Sequence, residues 1–159
     1  MLSLCKKNYL FIFIIVACIF ITTIMIFIFN IENKGRDFYI ETFRNNKELF
    51  EDILNSIITL QNEVNIFQED GEIYISQNGN NTLLSEITLN EVTKSNIKRV
   101  INDLNISSIE KYSTYIEFIF NSKRNQYSIA YTVDNNQLIG YTNEVYLEDN
   151  WYYCDIALE

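Results

Sequence analysis

The stretch FRNNKELFEDILNSIITLQNEVNIF, residues 43–67, decides how this chain is to be read. Phe43, Phe50, Ile57 and Val64 recur seven residues apart, and Ile53, Leu60 and Phe67 fill the intervening positions. That a/d spacing predicts one long helix across the stretch. Leu49, Leu54 and Ile58 widen the apolar stripe, which suits a helix lying on a sheet better than a narrow two-helix seam. A parallel coiled coil is the competing reading, in which Phe43, Phe50, Ile57 and Val64 would join two chains as a homodimer.

Downstream, Gln68-Glu69-Asp70-Gly71 reads as the turn that ends this helix. Glu72–Ser76 alternates as a strand does, and Asn78-Gly79 is a strong hairpin signal. Thr88 with Glu91 three residues later has the capping-box pattern of a second helix. Leu89, Val92, Ile97, Val100, Ile101 and Leu104 form its apolar face, and Asn105 suits its C-terminal end. From Ser108 onward the pattern is β: strands at Tyr115–Phe120, Tyr127–Val133, Leu138–Tyr141, Val145–Leu147 and Trp151–Leu158, with turns at 121–125, 134–136 and 148–150. The expected fold class is therefore α+β, with two helices packed on an antiparallel β-meander.

Upstream, Leu10–Phe29 is a twenty-residue run without charge, in which Thr22 and Thr23 are the polar members. As a helix it would be about 30 Å long, the thickness of a bilayer core. This predicts a short tail at 1–9, a transmembrane helix at 10–30, a link at 31–37 and an α+β domain at 38–159, with the lipid bilayer as one partner. Lys6 and Lys7 favour a cytoplasmic N-terminus and an extracellular C-terminal domain, a single-pass signal-anchor in the cell membrane. Within the run, Ile15-Val16-Ala17-Cys18 has the look of a bacterial lipobox, so a lipidated Cys18 is the alternative anchor. Cutting there would leave an apolar stub after the cysteine, which favours the uncut span.

Composition bounds the chemistry. The chain carries 21 acidic and 12 basic residues for a net charge of −9, and every acidic residue lies at or after Glu32. Such a domain is repelled by nucleic-acid phosphates, and no basic stripe offsets this. There is no His, so Ser-His, Cys-His and His-metal arrangements do not arise. Of the three cysteines only Cys154 follows the apolar run, where it reads as a buried, inert thiol. The glycines are too dispersed for a phosphate loop. The pairs Glu51-Asp52, Glu69-Asp70 and Glu148-Asp149 offer carboxylates for a hydrolase, but they sit where solvated acids are expected. The expectation is no catalytic, cofactor or metal site. The tyrosine-rich C-terminal half instead suggests recognition, with Tyr131, Tyr141, Tyr146, Trp151, Glu148 and Asp149 as candidate partner-binding residues.

In size, acidity and layout the chain resembles small single-pass membrane-anchored proteins of low-GC Gram-positive bacteria, some of which resemble immunity proteins. The resemblance implies a non-catalytic domain that binds a protein partner, a basic one in the immunity case, in an envelope, signalling or immunity-like role. It assigns no residue.

Overall fold

The computed structural model describes residues 18–25, 35–60, 63–120, 125–133, 141 and 143–157. The chain divides into two units, residues 1–38 and 39–159.

In the first unit, 18–25 are helical, with Ile19, Phe20, Ile21, Ile24 and Met25 exposed. The hydroxyls of Thr22 and Thr23 both donate to the Ile19 carbonyl, at 2.9 and 2.8 Å. The transmembrane helix expected at Leu10–Phe29 is corrected: among the described residues no helix is long and apolar enough to cross a membrane. Hydropathy measured how apolar the run is, and the length of continuous helix is a separate quantity. The single-pass membrane placement falls with it. The rest of the run lies outside the described residues.

Among the described residues, the second unit is built on one eight-stranded, wholly antiparallel sheet, whose strands lie side by side in the order 80–83, 72–77, 64–69, 106–111, 115–120, 125–132, 151–157 and 143–148. Helix α1 (35–45) leads into α2 (Lys47–Ile57) through a break at Asn46, whose side-chain amide donates to the Thr42 carbonyl at 2.9 Å instead of capping α2. Strands β1 (Val64–Glu69), β2 (Glu72–Gln77) and β3 (Asn80–Leu83) follow as two hairpins. A short 3-10 turn and helix α3 (Glu91–Asp103) then carry the chain to β4 (Ile106–Lys111), beside β1. Strands β5 (Tyr115–Phe120) and β6 (Asn125–Thr132) continue the sheet, while β8 (Trp151–Ala157) pairs with β6 and β7 (Asn143–Glu148) takes the outer edge. The expected simple meander is thus interrupted twice, at β1–β4 and at β6–β8.

The long helix expected over 43–67 is also corrected. Its first part is α2, which buries Leu49, Phe50, Ile53, Leu54 and Ile57, a stripe of helical period. Ile57-Ile58-Thr59 is a β-branched run that weakens helix continuation, and α2 stops there. Val64 and Ile66 are buried alternately on β1, where Ile66 faces Ile75 of β2 and Ile109 of β4. The seven-residue spacing to Val64 was met by a strand. The second helix begins two residues later than the expected Thr88 cap: Asn90 is the cap, and its side chain accepts from the Thr93 amide at 2.7 Å. Val92, expected on the apolar face, is exposed. Asn105 takes the left-handed conformation just past the helix end (φ 59°).

Two-residue turns fix the register. Asp70-Gly71, Asn78-Gly79 and Asp149-Asn150 all have positive φ at both positions, the geometry of the turns that match strand twist. The strand expected at 138–141 and the turns at 121–125 and 134–136 lie largely outside the described residues; Tyr141 itself is in no strand.

All three helices lie on one sheet face. Tyr39 of α1 meets Phe120 and Tyr127, with ring centroids 4.5 and 5.0 Å apart. Phe50 of α2 packs edge-on to Phe118 at 4.8 Å and to Trp151 at 6.3 Å. Ile97, Val100 and Ile101 of α3 join the same core. A Ser56–Thr93 hydroxyl pair at 2.7 Å and an Asn96-to-Asp52 hydrogen bond at 2.6 Å tie α2 to α3.

Phe50→Ala is expected to cost ~3–5 kcal/mol, measured by denaturant unfolding. Gly79→Ala should cost about 1–2 kcal/mol although nothing lies within 4 Å of an added Cβ, because its φ of +78° alone opposes a side chain. An unchanged midpoint for Gly79→Ala would contradict the turn assignment.

Candidate functional site

The opposite sheet face has a different chemistry. Strand alternation and the observed register place Glu69, Glu72, Glu110, Glu117 and Glu144 on it, with Tyr74, Tyr115, Tyr146 and Tyr152. Lys111 is the sole basic residue in the described strands. Its partners Val64 and Ile116 are core residues, so its Cβ leaves from the helix-covered face.

The centre of this face is a buried polar cluster. Glu117 is 3% exposed, and the hydroxyls of Ser128 and Tyr141 donate to its carboxylate. Its Oε1 has no hydrogen-bond partner among the described residues, and neither have the buried Asn65 Oδ1 and Thr132 Oγ1. Asn65, Glu110 and Glu117 face one another in one cross-strand row over β1, β4 and β5. The Tyr112 hydroxyl donates to Glu110 Oε2, and the Tyr112 and Tyr115 rings stack with centroids 4.5 Å apart. A further hydrogen bond joins the Tyr115 and Tyr141 side chains.

Burial sets the protonation states. It raises the Glu117 pKa above the ordinary carboxyl value; the Ser128 and Tyr141 hydrogen bonds pull it down and Glu110 pushes it up further. Burial likewise raises Tyr112, Tyr115 and Tyr141, with the neighbouring carboxylates adding to it. Cys154 is fully buried; burial first, then Glu117, raises its pKa and holds it as a thiol. It lacks the electropositive surroundings that make a nucleophile.

A cavity of ≈ 250 Å³ opens at one end of this face, where β1 begins, β4 ends and the β2–β3 turn comes round. Asn65, Ser76, Glu63, Glu110 and Tyr112 line it, and Lys111 borders it. A larger cleft of ≈ 730 Å³ lies at the α1–α2 break, between Arg44, Lys47 and Arg99. Among the described residues no three His, Cys, Asp or Glu side chains gather as a metal would require.

The residues singled out from sequence are dispersed. Trp151 is a core residue, and Tyr131 meets it edge-on at 5.2 Å from the helix-covered side. Tyr141 belongs to the polar cluster, packed against Ala130 and Cys154. Tyr146 is 62% exposed on the edge strand, edge-on to Tyr152 at 5.5 Å. Glu148 and Asp149 are held inside the chain by Lys47, at 3.3 and 3.2 Å, together with Glu51 at 3.5 Å. Phe43, Phe50, Ile57 and Val64 are all buried in the intramolecular core, so joining two chains through them would require that core to open. Sequence reasoning passed over Asn65, Glu110 and Glu117. The available signal was Glu117 itself, an acid in the middle of the otherwise apolar strand YIEFIF.

Compared with protein families, curated proteins and solved structures, the chain matches none of them.

A raised carboxyl pKa stabilises the fold below the unfolded value of about 4.3, and that contribution is lost as pH rises through the folded pKa. Holding Glu117 ionised in this site therefore costs stability. Its neighbours Glu110 on β4, Ser128 on β6 and Tyr141 remain in place in Glu117→Gln, whose amide can donate to Glu110. This variant should melt higher than wild type at pH 7, with the gain shrinking toward pH 4. Equal melting temperatures at both pH values would refute the assignment.

Proposed function

We propose that the domain is a non-catalytic recognition module that binds a basic protein partner through the sheet face opposite its helices. The observation that carries this reading is the composition of that face: five carboxylates and four tyrosines at its strand positions, and no Lys or Arg. Tyrosine supplies contact area and a hydroxyl at low entropic cost, and a one-signed surface selects and steers an oppositely charged partner. Lys47 and Lys94 pair with acids on the helical side and at the β7–β8 turn.

Tyr146, which is exposed, meets the half-buried Tyr152 near the free edge of the sheet. A carboxylate hydrolase is the competing reading; it would need Glu117 open to substrate, and Glu117 is covered.

The full chain, immobilised, should retain a basic protein that a salt step releases. Hydrogen-exchange footprinting of that complex should protect β5, β6 and β8, and Tyr146→Ala should weaken binding roughly tenfold, as hot-spot tyrosines do. A footprint confined to α2 and α3, or a hydrolytic activity abolished by Glu110→Gln, would sink the reading.

A further inference from the structure

We infer that the cavity bounded by Asn65, Glu110 and Tyr112 receives the guanidinium group of an arginine side chain carried by the protein partner. The inference rests on the recognition reading above and names what one pocket of that face takes.

Three observations converge on it. The first is the supply of acceptors. Asn65 Oδ1 lines the cavity side of β1 and is buried without a partner among the described residues. Glu110 and Glu63 border the same space, and behind Glu110 the row continues to Glu117, whose Oε1 is also unpartnered. A buried acceptor left unpaired costs free energy that only an incoming donor recovers. Glu117 can recover it by taking a proton; an amide oxygen such as that of Asn65 cannot.

The second is geometry. Asn65 and Glu110 are directly opposed on antiparallel neighbours, so their Cβ atoms stand about 5 Å apart on one face. Two acceptors at that separation suit a planar fork with several N–H donors, which guanidinium offers and ammonium does not. The third is the aromatic wall. Tyr112, held by its hydrogen bond to Glu110 and stacked on Tyr115, presents a ring beside the cavity, against which a guanidinium plane can lie.

A metal ion is the weaker occupant, because no three ligating side chains gather there among the described residues. The cavity lining carries two acids, Glu63 and Glu110, against one base, Lys111, so its net charge favours a cation over an anion. The volume of ≈ 250 Å³ is enough for a side-chain terminus.

The test is NMR titration of the isotopically labelled full chain with three probes: a glycine–arginine hexapeptide, its lysine counterpart and free methylguanidinium. The arginine peptide should shift the Asn65 side-chain amide and the Glu110 and Tyr112 signals saturably, several-fold more tightly than the lysine peptide. Glu110→Gln and Asn65→Ala, each checked for an unchanged fold by its spectrum, should weaken it at least tenfold. Glu110→Asp should restore part of the loss. Shifts confined to Tyr146 and Tyr152, or unchanged affinity in both variants, would overturn the pocket assignment and leave the recognition reading standing. Methylguanidinium binding as tightly as the peptide would make this a small-molecule site and overturn the assignment to a partner's arginine. No response to either peptide would overturn the pocket and the recognition reading together.

Discussion

Phe50 against Phe118 and Trp151 is the contact on which the domain depends. It joins α2 to the middle of β5 and to the start of β8, two strands separated in the sheet by β6. Phe43 closes the group from α1, 5.0 Å from Trp151 and 5.5 Å from Phe50. These rings are fully or almost fully buried and meet mostly edge-on or tilted, the arrangement that aromatic quadrupoles favour. Burial of such large apolar groups supplies the main driving force for folding, and here it also fixes which sheet face the helices cover.

Once that face is chosen, the other follows from strand alternation. Every residue out of phase with Phe118 and Ile129 is turned to the far side, and this is how Glu117, Ser128 and Cys154 come together. A carboxyl in the centre of a sheet is costly, and hydroxyls from Ser128 and Tyr141 offset only part of the cost. On the same row, Glu117 Oε1 and Asn65 Oδ1 have no hydrogen-bond partner among the described residues. The acidic pair Glu148-Asp149, by contrast, has a structural use: with Lys47 it fastens the β7–β8 turn to the start of α2.

Much of the local structure was legible. Asp70-Gly71, Asn78-Gly79 and Asp149-Asn150 announce turns because few residues tolerate left-handed backbone. Strands Tyr115–Phe120 and Trp151–Ala157 and the core of α3 were readable from alternation and helical period. The stretch 43–67 misled because seven residues separate equivalent helix positions, while Val64 met that spacing by chance and lies on β1. The apolar run at Leu10–Phe29 misled in another way: it predicts a membrane span from hydropathy, and among the described residues no helix is long and apolar enough to cross a membrane. Of the residues on this face, Tyr141 and Tyr146 were named in advance, whereas a pocket made by β1, β4 and the β2–β3 turn has no signature in any one segment.

The sequence by itself determined the acidity, the absence of histidine, the turn positions and the alternation that divides each strand into an apolar and a polar half. Those depend on side-chain chemistry and on backbone preferences within a few residues. The tertiary structure alone decided that β4 lies beside β1 and β8 beside β6, and therefore that Asn65, Glu110 and Glu117 share one row. Pairing between strands that are not consecutive in the chain is selected by burial of the whole core around Phe50 and Trp151, a quantity that no local pattern contains.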